Sequence, residues 1–261
     1  MPITELLRQN AERYPDDTSL VEITPPPTVH GRLTWKEYAL IESGTGQNVR
    51  REITWKDFNC QANRFANFLL SRGIRKGEKV AILLMNCLEW LPIYFGILKA
   101  GAIAVPLNFR YTSDEIDYCL KLADVDVLFF GPEFIGRMEA IAPKLSKQML
   151  LLFVGETCPS FAEDYHRATA NCSSVAPKIL IDDEDEAAIY YSSGTTGFPK
   201  AILLKHRALL QSARMEAIHH ATTHDDVFLC IPPLYHTGAK MHWFGSLFTG
   251  SKAVLLKGNS P

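Results

Sequence analysis

The sequence predicts an α/β protein with mostly parallel, doubly wound sheets flanked by helices. Apolar segments of strand length alternate with segments of helical spacing along the 261 residues. The strand segments are continuously apolar, which is typical of parallel strands covered on both faces. Hydrophobic residues make up 47% and charged residues 21% of the chain, which indicates an ordinary globular protein with a sizeable core.

Helix caps and apolar spacing locate the individual elements. Thr54 with Asp57, and Thr112 with Glu115, have the capping-box spacing that opens a helix. The predicted helices are 54–72, 90–100, 112–123, 134–143 and 206–218. The predicted strands are 80–85, 103–107, 126–130, 149–154, 187–192, 227–231 and 252–256.

Two stretches, Pro25–Pro27 and Gly44–Arg50, are predicted as loops. The acidic run 182–186 is predicted as a solvated connector and as a boundary between two lobes. Residues 1–185 would form the first α/β lobe, and residues 186–261 would hold a ligand loop and the start of a second lobe.

Charge and cysteine content exclude several classes of function. A formal net charge of -2 gives no reason to expect nucleic-acid binding. The six cysteines form no C-x-x-C pair, so reduced thiols in a cytoplasmic protein are expected. The N-terminus is too polar for a secretory signal, and charged residues interrupt the apolar region 87–107, so no transmembrane segment is expected.

The stretch YYSSGTTGFPK, residues 190–200, has the chemistry of a polyphosphate loop at the carboxyl end of a strand. Gly194 and Gly197 allow sharp turns and close backbone approach, and Lys200 adds a positive charge. Hydroxyl donors come from Ser192, Ser193, Thr195 and Thr196. The loop is neither a Walker A motif nor G-x-G-x-x-G, and a plain surface turn is the alternative interpretation.

The longer string YYSSGTTGFPKAILLKH resembles the phosphate-loop signature of the adenylate-forming superfamily, which includes acyl-CoA synthetases, peptide-synthetase adenylation domains and luciferases. Segments 14–21, 90–108 and 231–239 agree with the same family. Ala201 stands where the family usually has Gly, and Lys205 where it has Ser or Thr. The resemblance implies the N-terminal part of an acyl-CoA synthetase-like fold.

The resemblance also implies an activity. ATP would activate a carboxylic acid to an acyl-adenylate with Mg²⁺ present, and coenzyme A would then displace AMP to give a thioester. Lys200 and His236 would be the catalytic residues, and residues 192–197 with Lys200 would hold the phosphates. Tyr235, His236 and Gly238, in PPLYHTG, would contact the acid, and Thr196 would contact Mg²⁺. Aromatic residues in 231–247 allow fatty, aromatic or alicyclic acids.

Further parts of the family's active site would follow Pro261, including its adenine and ribose contacts, hinge and late lysine, so this chain alone is expected to be inactive. Two alternatives stay open: an adenylation domain that loads a carrier-protein thiol, and a non-catalytic nucleotide- or acyl-binding module. An alternative interpretation of His236 is an ordinary core or surface histidine without a role in binding or catalysis.

Histidines 219, 220, 224, 236 and 242 raise the question of a metal site. His220 and His224 have i, i+4 spacing, but no H-E-x-x-H motif is present and 222–226 resembles a helix end. Metal binding is therefore the less favoured interpretation of this group.

Overall fold

A computed structural model describes residues 1–24, 50–145, 149–192 and 199–257. These residues form two sheets, one of seven strands and one of four, with helices packed on them. The strands are β1 Thr18–Ile23, β2 Arg50–Thr54, β3 Lys79–Leu83, β4 Ile103–Pro106, β5 Val127–Phe130, β6 Leu150–Phe153, β7 Glu163–Asp164, β8 Glu186–Ser192, β9 Lys200–Lys205, β10 Val227–Cys230 and β11 Lys252–Leu256. The predicted α/β class is confirmed.

The α-helices lie between these strands. They are α1 Thr4–Arg13, α2 Trp55–Ser71, α3 Trp90–Lys99, α4 Ser113–Leu122, α5 Ile135–Ile141, α6 Tyr165–Thr169, α7 His206–His219 and α8 Thr237–Thr249. Both predicted capping boxes are present at the starts of α2 and α4. The predicted helix 134–143 is shorter, because its proline-containing ends form 3-10 turns on either side of α5. Within the described ranges, no helix is both long and apolar enough to cross a membrane.

The seven-stranded sheet has the order β7-β6-β5-β3-β4-β8-β9. Every neighbouring pair is parallel except β8 and β9, which form an antiparallel hairpin. Strands β3, β4 and β5 are buried along almost their whole length, as their continuously apolar sequences predict. From β3 the chain adds β4 on one side and then β5 on the other, so the winding direction reverses between β3 and β5.

The four-stranded sheet, β10-β11-β1-β2, brings together distant parts of the chain. Strand β1 pairs with β11 in parallel and with β2 in antiparallel orientation. Each sheet thus takes strands from both sides of the predicted boundary after residue 185, since β8 and β9 join the large sheet and β1 and β2 join the small one. The predicted boundary does not coincide with a division between the sheets.

The acidic connector, residues 182–186, forms ion pairs with neighbouring segments in addition to being exposed to solvent. Glu184 forms ion pairs with Lys205, at 3.0 Å, and with Arg207, at 2.6 Å. Asp185 lies 2.5 Å from Lys76. The pairs of Glu184 tie the connector before β8 to the end of β9 and the start of α7, and the pair of Asp185 ties it to the segment before β3.

An aromatic cluster holds α2, α3 and α8 together. Phe58 packs edge-on against Phe95 at 5.7 Å between ring centroids, and Trp243 lies 5.8 Å from Phe95 and 6.1 Å from Phe58. All three rings are fully buried, and burial of such a side chain contributes about 1.5–3 kcal/mol. Gly96 lets α3 approach α2, because a Cβ there would lie 2.5 Å from a Phe65 ring carbon.

Candidate active site

The predicted phosphate loop connects β8 to β9. Ser192, the last residue of β8, is opposite Lys200, the first residue of β9. Ser193, Gly194, Thr195, Thr196 and Gly197 lie outside the described residues. Since β3, β4 and β8 are parallel, the loop leaves the same edge of the sheet as the segments that follow β3 and β4.

Lys200 is exposed and begins a strand that the sequence analysis missed. The sequence predicts a helix over 206–218 and no strand directly before it, but 200–205 pairs with β8 along its whole length. This strand forms because it pairs with β8. A short apolar run between a loop and a helix is too short for its periodicity to predict strand or helix. The pairing fixes the backbone of Lys200 beside that of Ser192.

Asn86, in the segment after β3, holds the predicted acid-binding motif. Its side-chain Nδ2 donates to the carbonyl oxygen of Pro232 at 3.0 Å, and the backbone N–H of Leu234 donates to Asn86 Oδ1 at 2.8 Å. Asn86 is only 7% exposed, so these bonds are shielded from water. Asn86 was not among the predicted site residues, although a polar side chain directly after a buried strand is a signal that could have indicated it.

Tyr235 packs against the segment that follows β4. Its ring meets Phe109 edge-on, at 5.2 Å between ring centroids and an interplanar angle of 89°. Burial raises the pKa of the Tyr235 hydroxyl, so this group stays neutral and able to donate a hydrogen bond. Through Asn86 and Phe109, residues 232–235 are fixed to the carboxyl ends of β3 and β4.

His236 is the N-cap of α8. Its Nδ1 accepts a hydrogen bond from the backbone N–H of Gly238 at 3.1 Å, which places the ring proton of the neutral imidazole on Nε2. The residue is exposed. A Cβ at position 238 would lie 3.2 Å from Nδ1, so the absence of a side chain at Gly238 helps the cap to form. His236 therefore offers Nε2–H as a donor from a backbone-anchored ring.

One turn after His236, α8 carries Lys240, whose side chain is fully buried. Its Nζ lies over three rings, 3.9 Å from the centroid of Tyr190, 4.3 Å from Tyr94 and 5.2 Å from Trp90. The amine has no hydrogen-bond partner among the described residues, and burial holds the pKa of Lys240 well below its ordinary range. Trp243, one of the aromatic residues in 231–247, lies in the aromatic core with Phe58 and Phe95.

A crevice of about 790 Å³ opens where the winding direction of the large sheet reverses. The segments after β3, β5 and β6 line it through Leu84, Asn86, Gly131, Pro132, Val154 and Gly155. Arg51 lies in the crevice and donates to Glu22 at 2.7 Å and to Glu89 at 2.8 Å. Burial raises the pKa of Glu89, but the bonds from Arg51 outweigh burial and hold that pKa below its ordinary value.

The five histidines considered for a metal site separate into different environments. His224 stacks on Tyr14, with 3.9 Å between ring centroids, and its Nε2 lies 3.1 Å from Asp17. His220 instead approaches His242, on the neighbouring helix, and both contact Glu216. His220 and His224 are therefore in separate environments, because the helix ends at His219 and the two residues do not share a helix face.

Comparison with known proteins places this geometry in a family. The model of the AMP-binding enzyme family matches residues 7–261. A crotonobetaine/carnitine–CoA ligase of Salmonella paratyphi B is 30% identical over 227 residues, which represent 85% of this chain and 44% of the ligase.

Two solved structures have similar folds. The anthranilate CoA ligase AuaEII, in complex with anthranoyl-AMP, has a TM-score of 0.85 and 25% identity, over 99% of this chain and 45% of that one. ATP-bound MatB from Rhodopseudomonas palustris has a TM-score of 0.74 and 25% identity, over 97% of this chain and 45% of that one. The chain thus spans less than half the length of these three relatives. From the match over nearly its whole length, the chain belongs to the AMP-binding enzyme family, the adenylate-forming enzymes that include acyl-CoA ligases.

Proposed function

We propose that the chain takes part in the ATP-dependent activation of a carboxylic acid and its transfer to coenzyme A. A carboxylate oxygen attacks the α-phosphorus of ATP, the bond to the bridging oxygen of the β-phosphate breaks, and pyrophosphate leaves. The thiolate of coenzyme A then attacks the acyl carbon, and AMP departs with the electron pair of the C–O bond. The observation that carries this proposal is that the chain leaves β8 toward the loop at the same edge of the large sheet to which Asn86 holds the segment 232–234.

In this proposal the loop binds the β- and γ-phosphates. Ser192 and Lys200, paired at the mouth of the hairpin, are a hydroxyl donor and a cation, which suit phosphate oxygens. Backbone N–H groups of 193–197 would add donors, and Thr196 would supply a hydroxyl oxygen to Mg²⁺, which when bound neutralises phosphate charge. Lys200 would stabilise the charge that develops on pyrophosphate.

His236 and its neighbours would bind the acid. The ring anchored by Gly238 directs an Nε2–H donor that can bind a carboxylate or acyl oxygen. Tyr235 would form part of the pocket wall, and Gly238 would keep the backbone close to the acid. Two of the relatives named above, the crotonobetaine/carnitine–CoA ligase and the anthranilate CoA ligase, are CoA ligases, which supports coenzyme A over a carrier protein as the thiol. The six unpaired cysteines favour a reducing compartment such as the cytoplasm.

The role of Lys200 is tested by carboxylate-dependent exchange of labelled pyrophosphate into ATP, with the protein expressed from its complete reading frame. Lys200→Ala should lower exchange by about 100-fold, since a charged donor to the transition state is lost. Lys205→Ala is the matched control, because Lys205 lies at the other end of the same strand and pairs with Glu184. Equal exchange in the two variants would contradict this role of the loop.

His236→Asn separates binding of the acid from capping of the helix. Asparagine is a good N-cap, so α8 should keep its stability within about 0.5 kcal/mol, whereas the Nε2–H donor is lost. Exchange should then fall for the acid substrate with little change in the KM for ATP. A variant with unchanged exchange would leave His236 with a capping role only.

Replacing coenzyme A by a carrier protein in a thioester assay tests the alternative acceptor.

A further inference from the structure

A group of metal-ligand side chains lies on the surface where α7 packs against α8, in a part of the molecule that the proposed reaction does not use. Glu216 lies in the last turn of α7, and His220, four residues on, is the C-cap of that helix in αR conformation, so both side chains project on the same side. His242 projects from α8 toward the same point. The helices approach closely, since a Cβ at Gly245 would lie 3.3 Å from the Cβ of Glu216.

The three side chains present one ligand atom each to a common point. Glu216 Oε2 lies 2.8 Å from His242 Nδ1 and 3.2 Å from His220 Nε2, and all three atoms lie within 4.8 Å of one another. Ligand atoms bound to zinc at 2.0–2.1 Å and tetrahedral angles are about 3.4 Å apart. Small side-chain rotations would bring the group to that spacing.

The chemistry of the group selects a class of ion. Two imidazole nitrogens with one carboxylate oxygen suit zinc and neighbouring first-row transition metals, whereas Ca²⁺ and Mg²⁺ prefer oxygen ligands. The histidine side chains are 63% and 51% exposed, so an ion can enter from solvent and keep water on its open positions. Both helices are well formed around the group, so little ordering is needed for binding.

We propose that Glu216, His220 and His242 bind a divalent transition cation, for which Zn²⁺ is the probe. The ion would link α7, which follows the β8–β9 hairpin, to α8, which begins next to His236. Its effect would be to fix the separation of these two helices. The proposal is independent of the proposed function, because none of its three ligands takes part in the reaction.

Calorimetric titration of the untagged 261-residue chain with ZnCl₂ tests the site. We expect one saturable ion per chain, with affinity at least tenfold weaker in His242→Ala and in Glu216→Gln. His219→Ala is the matched control, because it removes an exposed imidazole from the same helix but outside the group. Absence of saturable binding below 100 µM, or equal weakening in His219→Ala, would overturn the proposal.

A thermal melt gives a second readout that adventitious surface binding would not reproduce. Saturating Zn²⁺ should raise the Tm of the wild-type chain and of His219→Ala, since the ion joins two helices in the folded state only. The Tm of His242→Ala should stay unchanged, because this variant lacks the only ligand of the three that comes from α8. An equal rise in all three proteins would overturn the link between the helices.

Discussion

The crevice beside β3, β5 and β6 and the site beside β4, β8 and α8 lie at one edge of the same sheet, yet they use charge differently. In the crevice, Arg51 is bound by Glu22 and Glu89, so its charge is offset within the fold. At the other site, Lys200 begins an exposed strand end and His236 caps a helix with one ring nitrogen. In doubly wound sheets, ligands commonly bind where the winding direction reverses, and this rule alone would place a ligand in the crevice. The paired charges in the crevice thus stabilise the fold, whereas Lys200 and His236 at the neighbouring site offer hydrogen-bond donors to a ligand.

Asn86 connects the two regions. It lines the crevice and binds both Pro232 and Leu234 of the acid-binding motif. Changes in the crevice should thus affect mainly stability, changes around α8 mainly substrate binding, and changes at Asn86 both.

The largest effect is expected from Arg51→Met, which tests the offset charges of the crevice. Glu22 is 1% exposed, and loss of Arg51 should lower the free energy of unfolding by about 3 kcal/mol, since only Lys257, with its Nζ 3.7 Å from Glu22 Oε1, would remain as a cation for this buried carboxylate. Urea unfolding measures the change. Arg50→Met is the control, because Arg50 and Glu52 form an exposed pair with an expected contribution below about 1 kcal/mol. Similar losses of unfolding free energy in both variants would show that the burial of Glu22 does not determine the size of the effect.

Asn86→Ala should lower the free energy of unfolding by about 2–3 kcal/mol, because two shielded hydrogen bonds are lost. It should also reduce acid-dependent pyrophosphate exchange by releasing 232–236. Asn67→Ala serves as the control, since half-buried Asn67 also binds two backbone carbonyls, of Ser173 and Val175, but through bonds that are exposed to solvent. If exchange fell equally in both variants, Asn86 would have no specific link to the site.

Lys240→Met should raise the free energy of unfolding by about 2 kcal/mol at pH 7, because an apolar side chain replaces a buried amine. The pKa of Lys240 is lowered in the folded state, so the unfolded chain binds the proton more readily and wild-type stability rises with pH. The gap between variant and wild type should therefore shrink toward pH 10.4, about the ordinary lysine pKa.

Urea unfolding at pH 7 and pH 10 measures this gap. Lys121→Met, at an exposed position of α4, should change stability by less than about 0.5 kcal/mol at either pH. A gap for Lys240→Met that does not depend on pH would show that packing, and not the amine, causes it.

Gly238→Ala should have the smallest effect on stability, a loss of about 0.5 kcal/mol, since its Cβ would crowd His236 Nδ1 at 3.2 Å. The KM for the acid should rise as the ring tilts. Gly136→Ala, on α5 with no atom within 4 Å of the added Cβ, should instead be neutral or slightly stabilising. A loss of equal size at both positions would indicate a general effect of replacing glycine in a helix.

Local patterns in the sequence predicted much of the fold. Hydroxyl and acidic residues three positions apart predicted the starts of α2 and α4, and continuous apolar runs predicted strands β3 to β6. These signals depend on neighbours a few residues away, which the sequence displays directly. Strand β9 was missed because its pairing with β8, and not its own period, makes it a strand.

The candidate site was predictable only where its chemistry is carried by a contiguous motif. His236 and Lys200 stand in such motifs, and 193–197 stays a prediction. Asn86 was missed because its partners are more than 140 residues away along the chain. Lys240 was missed for a different reason: a lysine on a helix is ordinarily exposed, and only the packing of α8 on Tyr94 and Tyr190 buries it.

Parallel pairing of β1 with β11 has a consequence for synthesis on the ribosome. The seven strands that the structure describes in the large sheet are translated by residue 205, so that sheet can assemble while the chain is still growing. Strand β1 must wait until residues 252–256 emerge before its parallel partner exists. During this interval the edge of β1 offers unpaired backbone groups to other chains. The first strand to be made is thus among the last to be completed, and this interval is when nascent chains are most exposed to misassembly.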